Sequence, residues 1–269
     1  MSSEHGAQLL CEPEGDQVHL WVVRTQAAVE PAILERYRAL LSAQERAQYG
    51  RFLRARDSHR YLVTRALVRS VLSRYRERSP EQWCFDQGPH GRPQLQGAGK
   101  LRFNLSHTNA MVVLALGCER EIGVDVEDAG RSCDMLNIAA HYFSPGELAC
   151  LRALEGAELR RCFFSLWTLK EAYIKARGIG FALALDQFSF QIDASGRIGM
   201  HIEASLGDDA GSWQFWQLEV GDDHILALAI RAAAEASLSL TIRTTLPLVK
   251  EQIVAHEAAI NRRSALELG

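Results

Sequence analysis

A long helix-forming segment, Glu158–Arg177, limits the folds open to this chain. Gly178 follows it directly, and glycine commonly ends helices in the left-handed conformation. The segment contains large apolar side chains at Phe163, Phe164, Trp167 and Ile174. So much aromatic surface indicates a helix packed into the protein, which needs a sheet or other helices to cover it.

Other segments show helix signals of the same kind. Helices are predicted at Ala32–Leu41 and at Asp57–Arg78, the second ending before Pro80, and a terminal helix is predicted at Lys250–Leu268. The capping box that begins many helices occurs twice, at Ser42 with Glu45 and at Ser144 with Glu147.

Strand patterns occur between these helices in both halves of the chain. They are predicted at 19–23, Leu101–Leu105, Met111–Leu116, Ile122–Glu127, 188–192, 198–202, 213–220 and 224–230. The predicted fold class is therefore α+β with two similar halves, at 16–118 and 119–232. Residues 233–269 form a C-terminal extension of unknown role.

Positive charge is concentrated in one part of the chain. Arg36–Arg78 contains twelve arginines against Glu45, Asp57 and Glu77, a net charge of +9, although the whole chain carries −3. This field favours an anionic partner, which could be nucleic acid, a phosphorylated cofactor or an acidic protein. Solvated helix faces also account for single arginines. The segment lacks a nucleic-acid-binding motif and an aromatic stacking pattern, so nucleic acid is not expected.

The composition is that of an ordinary soluble protein, with 47% hydrophobic and 23% charged residues. No apolar run approaches the ~18 residues that a bilayer span needs. Met1–Glu14 lacks the basic start and apolar stretch of a signal peptide. The six cysteines form no Cys-x-x-Cys pair. We therefore expect a cytoplasmic protein with reduced thiols and no membrane partner.

The strand Ile122–Glu127 carries an unusual acidic pattern. Side chains alternate along a strand, so Val124 faces the core while Asp125, Glu127 and Gly123 share the opposite face. Two carboxylates one step apart repel each other unless a cation lies between them, and Mg²⁺ prefers such ligands. An amphipathic edge strand with a solvated acidic face explains the pattern equally well.

Three further motifs carry candidate chemistry. Trp167–Lys175 places Glu171 and Lys175 on one helix face, either as a surface ion pair or as site residues. Phe103–His107 ends a strand with a Ser-His step that can bind phosphate or simply cap a turn. Gly91-Arg92-Pro93 presents an arginine on a rigid loop or forms an ordinary turn.

These four motifs, in this order and at this spacing, resemble those of the surfactin-type 4′-phosphopantetheinyl transferases. The resemblance extends from about Leu40 to Ile230. It implies a magnesium-dependent enzyme of the holo-[acyl-carrier-protein] synthase type. Such an enzyme moves the pantetheine arm of coenzyme A to a serine of a carrier protein and releases 3′,5′-ADP. It also implies two α+β halves with coenzyme A in the cleft between them.

The resemblance assigns the reaction to the second half. Asp125, Glu127 and Glu171 match the family's magnesium carboxylates, and Lys175 matches the lysine that contacts the pyrophosphate. Glu171 is the preferred acceptor of the serine proton. Lys175 is expected to stabilise the departing nucleotide.

The resemblance assigns coenzyme A contacts mainly to the first half. Ser106 and His107 match the step that binds a coenzyme A phosphate. Gly91, Arg92 and Pro93 match a loop near the nucleotide, with arginine in place of the more usual lysine. Arg60 matches a basic residue near the 3′-phosphate.

One departure from the family pattern concerns 3′-phosphate binding. Some members place two lysines where this chain has Glu45 and Gln48, and Arg46 and Arg51 are the candidates to replace them.

The expected partners are coenzyme A and an acyl or peptidyl carrier, with the protein a monomer. Arginines that the cofactor does not use, such as Arg65 or Arg69, are expected to steer the carrier. A non-catalytic module that binds coenzyme A or a carrier protein is the alternative.

Overall fold

One order of elements occurs twice along the chain: a strand, three helices and four strands. The computed structural model describes residues 10, 13, 15–87, 93–95, 99–178, 183–221, 223–233, 235–257 and 262–266. The first set comprises β1 (Gln17–Arg24), α1 (Pro31–Leu40), α2 (Ala43–Tyr49), α3 (Ala55–Leu72), β2 (Phe85–Gln87), β3 (Pro93–Leu95), β4 (Leu101–His107) and β5 (Met111–Cys118). The second comprises β6 (Ile122–Asp128), α4 (Met135–Tyr142), α5 (Pro145–Arg152), α6 (Gly156–Arg177), β7 (Phe188–Ile192), β8 (Ile198–Ile202), β9 (Trp213–Val220) and β10 (His224–Arg231). Three strands follow: β11 (Ser239–Leu246), β12 (Lys250–Glu257) and β13 (Arg262–Leu266). The repetition confirms the α+β fold with two similar halves.

Helix ends follow the capping signals in the sequence. The Ser42 hydroxyl accepts a hydrogen bond from the Glu45 amide at 3.2 Å and begins α2, as predicted. Ser144 and Glu147 form the same capping box at the start of α5. Gly178 ends α6 with a φ of 67°, the left-handed conformation that glycine adopts without strain.

One helix ends earlier than predicted, and another was not predicted. α3 ends at Leu72 and not at Arg78, because the chain turns there and the Tyr75 hydroxyl bonds with His19 and Trp21 of β1. α4 was not predicted, since a helix of eight residues is too short to show a clear period. Its N-terminus is capped by Asp134, which accepts a hydrogen bond from a backbone amide of the first turn.

The strands form two larger sheets with matching central pairs. The first sheet has the order β12-β11-β1-β5-β4, and the second has the order β13-β9-β10-β6. β1 pairs antiparallel with β5, and β6 pairs antiparallel with β10, with Asp125 opposite Ala227. β4 and β6 therefore each lie at the edge of a sheet. β2 with β3 and β7 with β8 form two separate hairpins.

The two sheets pack face to face, and helices cover their outer faces. Leu20 of β1 and Val124 of β6 belong to one buried apolar core between the sheets. On the outer face of the first sheet, Trp21 belongs to a second core with side chains of α1 and α3. On the outer face of the second sheet, Ala227 packs in a third core with α6. The order of layers is helices, sheet, sheet, helices.

The C-terminal segment adds strands to both sheets. β11 lies parallel to β1 in the first sheet, and β13 lies parallel to β9 in the second. The helix predicted at Lys250–Leu268 is therefore wrong, since β12 and β13 occupy that range. The physical reason is that strand pairing with distant partners outweighs a local helical pattern.

Within the described ranges, no helix combines the length and the apolar character that a membrane crossing needs.

Candidate active site

Strand β6 turns its acidic face toward α6. Val124 lies on the opposite face in the core between the sheets, as the alternation predicts. Gly123 lies so close to α6 that an added β-carbon would be 2.0 Å from the Ala172 carbonyl oxygen. The neighbour that lies against Gly123 is thus a helix backbone. It passes over the face that Gly123 shares with Asp125 and Glu127.

Two side chains of β4 join the edges of the two sheets. Asn104 Oδ1 accepts a hydrogen bond from Val124 N at 2.9 Å, and Ser106 Oγ accepts one from Val126 N at 3.3 Å. These amides belong to an edge strand, and the described ladders leave them without a strand partner. The bonds hold the end of β4, with Ser106 and His107, against β6.

A three-residue network connects β4, β6 and α6. Lys175 Nζ donates to Asp125 Oδ1 at 2.6 Å and to Ser106 Oγ at 3.0 Å. Ser106 Oγ donates to the same Asp125 oxygen at 2.8 Å. Asp125 is only 4% exposed, so its charge needs these donors. The interaction of Lys175 with Asp125 makes it more than a surface partner of Glu171.

The predicted site residues of β4, β6 and α6 line one cavity of about 360 Å³. It lies where β4, β6 and α6 meet, and it opens to solvent. Its polar lining consists of Ser106, His107, Asp125, Glu127, Glu171 and Lys175. Residues 69 positions apart in the sequence, Ser106 and Lys175, are in direct contact here. The fold therefore brings together six of the predicted site residues.

Burial and mutual repulsion perturb the acidic groups of this cavity. Burial, followed by the negative charge of Asp125, raises the pKa of Glu171 to about 7. The same two causes raise the pKa of Glu127 above its usual value. His107 reaches solvent, yet partial burial and then the charge of Arg60 lower its pKa. A carboxylate with a pKa near 7 is suited to accept a proton at neutral pH.

The carboxylates offer the donor set that Mg²⁺ prefers. Asp125 Oδ2 and Glu171 Oε1 are buried, and neither has a hydrogen-bond partner among the residues that the structure describes. Glu127 Oε2 instead accepts a hydrogen bond from Arg131 Nε at 3.1 Å. Accordingly, the described chain places no three His, Cys, Asp or Glu side chains close enough to hold a metal. Asp125 and Glu171 therefore each offer one unpartnered oxygen, whereas one oxygen of Glu127 is bonded to Arg131.

Among the other predicted residues, Arg60 does not line this cavity. Arg60 on α3 donates to Asn109 Oδ1 at 2.8 Å, and its charge acts on His107 at the cavity wall. Gly91 and Arg92 fall outside the described residues. Pro93 begins β3, whose backbone pairs with β2.

The structure explains why this chain has Glu45 where some members of the family have a lysine. This carboxylate is 7% exposed, and its Oε2 atom lies 2.7 Å from Arg69 Nη2. Arg65 contacts its other oxygen at 3.3 Å. Glu45 is therefore a buried partner of arginines and does not substitute for a phosphate-binding lysine. The expectation that Arg69 steers a carrier protein is wrong, because Arg69 is 1% exposed.

Two residues of the site were not predicted. Asn104 joins the sheets, and Trp167 contributes its ring to the cavity wall. Asn104 lies two residues before Ser106 and so shares its strand face, which was an available signal. Trp167 lies one helical turn before Glu171 and could have been placed in the same way.

Comparison with known proteins gives a consistent assignment. A family model described as the 4′-phosphopantetheinyl transferase superfamily matches residues 121–229. A second, described as 4′-phosphopantetheinyl transferase, N-terminal, matches residues 30–119. The division between the two models falls between β5 and β6, where the repeated order of elements begins again.

Several curated proteins are similar in sequence. A putative 4′-phosphopantetheinyl transferase of Synechocystis sp. is 35% identical over 64% of this chain and 69% of its own length. The 4′-phosphopantetheinyl transferase HetI of Nostoc sp. is 31% identical over 80% of this chain and 88% of its own. The 4′-phosphopantetheinyl transferase Sfp of Bacillus subtilis is 32% identical over 64% and 75%.

A solved holo-(acyl-carrier-protein) synthase from Bacillus anthracis aligns with 42% of this chain and 96% of its own, with a TM-score of 0.36 and 18% identity. So weak a likeness adds nothing to the assignment. The sequence matches are sufficient by themselves, because they cover most of the length of three relatives above 30% identity. The chain belongs to the 4′-phosphopantetheinyl transferase superfamily.

Proposed function

We propose that this protein transfers the 4′-phosphopantetheine arm of coenzyme A to a serine of an acyl or peptidyl carrier protein. The observation that carries the proposal is the cavity between β4, β6 and α6. There a lysine and three carboxylates meet a Ser-His step at the junction of the two halves. A magnesium-dependent phosphoryl transfer requires carboxylate oxygens for the metal, together with a positively charged side chain and other groups that bind phosphate. This cavity offers all of them.

The residues of this cavity have separate tasks in the reaction. The serine oxygen of the carrier bonds to the phosphorus that bears pantetheine, and the bond from that phosphorus to the 3′,5′-ADP oxygen breaks. Glu171 accepts the serine proton directly or through water. Lys175 leaves Asp125 to neutralise the departing phosphate. Ser106 and His107 hold a phosphate of coenzyme A at the end of β4.

The metal in this proposal is Mg²⁺, held by Asp125, Glu127 and Glu171. When bound, it supplies positive charge that neutralises the pyrophosphate and orients it for in-line attack. The two unpartnered oxygens, Asp125 Oδ2 and Glu171 Oε1, support this assignment. Arg60 is the proposed reader of the 3′-phosphate, and Arg92 in the Gly91-Arg92-Pro93 loop is a proposed nucleotide contact.

The carrier protein is proposed to dock at the turn between α2 and α3. Leu53 in this turn is fully exposed, at 102%. Arg54 and Arg51 are exposed beside it, and their side chains make no hydrogen bond or ion pair with the rest of the described chain. At 1.5 Å per helical residue, Arg54 precedes Arg60 by only ~9 Å along α3. An apolar anchor among free cations suits an acidic helix that also presents an apolar side chain.

One chain supplies both walls of the cavity, since β4 belongs to the first half and β6 and α6 to the second. We therefore propose a monomer, with 16–118 contributing nucleotide contacts and 119–232 the metal-site strand and helix. In this proposal the extension 233–269 completes the sheets.

The decisive experiment is the intact mass of apo-carrier proteins after incubation with this protein, coenzyme A and Mg²⁺. A gain of about 340 Da, the mass of the phosphopantetheine arm, is expected. A carrier with its acceptor serine replaced by alanine should gain nothing, and chelation of Mg²⁺ should stop the gain. Tight binding of coenzyme A without any mass gain on fatty-acid, polyketide and peptide carriers would favour the non-catalytic module.

A further inference from the structure

Each half of the molecule contains one buried ion pair at the same place in the repeated order of elements. In the first half, Arg69 of α3 is 1% exposed and contacts Glu45 of α2 at 2.7 Å. In the second half, Lys170 of α6 is 0% exposed and contacts Glu147 of α5 at 2.9 Å. In both cases the carboxylate is that of the N3 glutamate of a capping box. The two pairs are therefore equivalent positions of the duplicated halves.

The remaining donors of each cation also bind equivalent groups. Arg69 Nη1 donates to the carbonyl oxygens of Pro80 and Trp83, at 2.8 and 2.9 Å. Lys170 Nζ donates to those of Leu185 and Phe188, at 2.7 and 2.5 Å. Each cation thus ties its long helix to the helix before it and to the segment that leads into the following hairpin. These contacts fix both the height and the rotation of the helix.

The two halves differ in the residue that comes after the cation on the helix. Ser70 follows Arg69, and its hydroxyl bonds within α3 to the Leu67 carbonyl oxygen. Glu171 follows Lys170 and lines the cavity. Consecutive helical residues are ~100° apart around the axis. A helix anchored on one side by Lys170 therefore presents Glu171 at a fixed angle.

We propose that Lys170 is a positioning residue for the transfer reaction, an inference that rests on the proposed function. Its bonds to Glu147 and to two carbonyl oxygens fix α6 so that Glu171 and Lys175 reach Asp125. The equivalent pair in the first half, Arg69 with Glu45, fixes α3, which contributes none of the residues that line the cavity. A buried ion pair commonly adds little net stability over an apolar replacement, which makes a purely stabilising role a weak explanation.

The duplication provides a matched control for the test. Lys170→Met with Glu147→Gln removes both charges of one pair and keeps the capping-box acceptor, because glutamine also serves at that position. Arg69→Met with Glu45→Gln makes the same change in the other half. Removing both partners avoids a buried unpaired charge, so both proteins are expected to fold. Thermal unfolding of each double variant sets an assay temperature at which both are native.

We expect kcat for carrier modification to fall by at least about tenfold in the Lys170/Glu147 variant. The Arg69/Glu45 variant should stay within about twofold of wild type. KM for coenzyme A should change little in the Lys170/Glu147 variant. Equal kcat in the two variants would overturn the inference, because loss of kcat would then follow general destabilisation and not the position of α6.

A second measurement needs no turnover. Mg²⁺ should raise the unfolding midpoint of wild type and of the Arg69/Glu45 variant, since a ligand that binds the native state stabilises it. The rise should be lost in the Lys170/Glu147 variant, where the carboxylates no longer converge. The same Mg²⁺ response in both variants would overturn the inference. Wild-type protein that modifies no carrier, but whose variants still differ in the Mg²⁺ response, would count against the proposed function alone.

Discussion

The backbone nitrogen of Ala176 lies 2.4 Å from the position that a β-carbon on Gly123 would occupy. Strand β6 and helix α6 are therefore in contact through their backbones. Because the carboxylates of the cavity come from these two elements, their separation depends on a residue with no side chain.

Gly123→Ala should accordingly destabilise the protein and abolish transfer. A β-carbon meets backbone atoms that cannot turn aside, so we expect a loss above about 3 kcal/mol, the upper range for overpacking. Chemical unfolding measures it. Gly117→Ala in β5 is the control, because its β-carbon would meet Ile122 Cδ1 at an ordinary 3.6 Å. Equal stability of the two variants would show that α6 can move away from β6 at little cost.

Asp125→Asn should reduce transfer activity and leave the protein folded. The substitution keeps the size of a buried side chain that accepts hydrogen bonds from Ser106 and Lys175, and removes its charge. Transfer, measured by carrier mass, should fall by about 100-fold or more, with a native circular dichroism spectrum. Asp128→Asn, on the same strand but outside the cavity lining, should stay active. Comparable activity of the two variants would remove Asp125 from the reaction.

The raised pKa of Glu171 predicts a pH-dependent stability in metal-free protein. The folded state holds its proton to about pH 7, whereas an ordinary glutamate loses it near 4.5. The contribution of Glu171 to the free energy of unfolding is therefore fully present below pH 4.5. It is lost as the pH rises through 7. The charges that act on Glu171 are those of Asp125 and Glu127 on β6 and of Lys175 on its own helix.

Glu171→Gln cannot ionise, so its unfolding midpoint should exceed that of wild type at pH 8 and match it near pH 4.5. Added Mg²⁺ at pH 8 should stabilise wild type more than the variant. Midpoints that run parallel across this range would mean that Glu171 has an ordinary pKa.

Arg60→Met tests recognition of the 3′-phosphate. KM for coenzyme A should rise, because a cation near His107 is lost, and KM for 3′-dephospho-coenzyme A should rise less. Arg38→Met, which removes an arginine of α1 that pairs with Glu35, should change neither value. An equal rise for both substrates would show that Arg60 does not read this phosphate.

Arg54→Glu combined with Arg56→Glu, a second exposed arginine at the start of α3, tests the proposed docking turn. At low salt KM for an acidic carrier should rise, and the penalty should shrink as salt increases, because exposed charges are screened over ~8 Å at physiological ionic strength. KM for coenzyme A should not change. Lys100→Glu with Arg152→Glu removes the same charge elsewhere on the surface. Salt curves that coincide for the two double variants would place the carrier at another surface.

Features that depend on neighbouring residues could be predicted from the sequence. The capping boxes at Ser42 and Ser144 depend on residues three positions apart, and the alternation of β6 depends on residues two apart. The motif order was sufficient to group Ser106, Glu171 and Lys175 before any contact between them was known. These predictions use local patterns or resemblance to a family, and the structure contains the features that they describe.

Features that depend on distant partners could not be predicted in this way. Twelve arginines between Arg36 and Arg78 look alike in sequence, yet Arg69 is buried on Glu45 while Arg54 is exposed. The contact of Lys175 with Asp125 depends on how α6 crosses β6. The helix predicted at Lys250–Leu268 failed for the same reason, since β12 pairs with β11 and β13 pairs with β9.

The placement of β11 beside β1 has a consequence for how the molecule is made. A ribosome releases β1 early, but the parallel neighbour of this central strand is not synthesised until residues 239–246. The first sheet therefore stays incomplete while the whole second set of elements emerges. Its β1 edge offers unpaired amides and carbonyls throughout that interval. The first sheet thus gains its described set of five strands only after β11 and β12 have emerged.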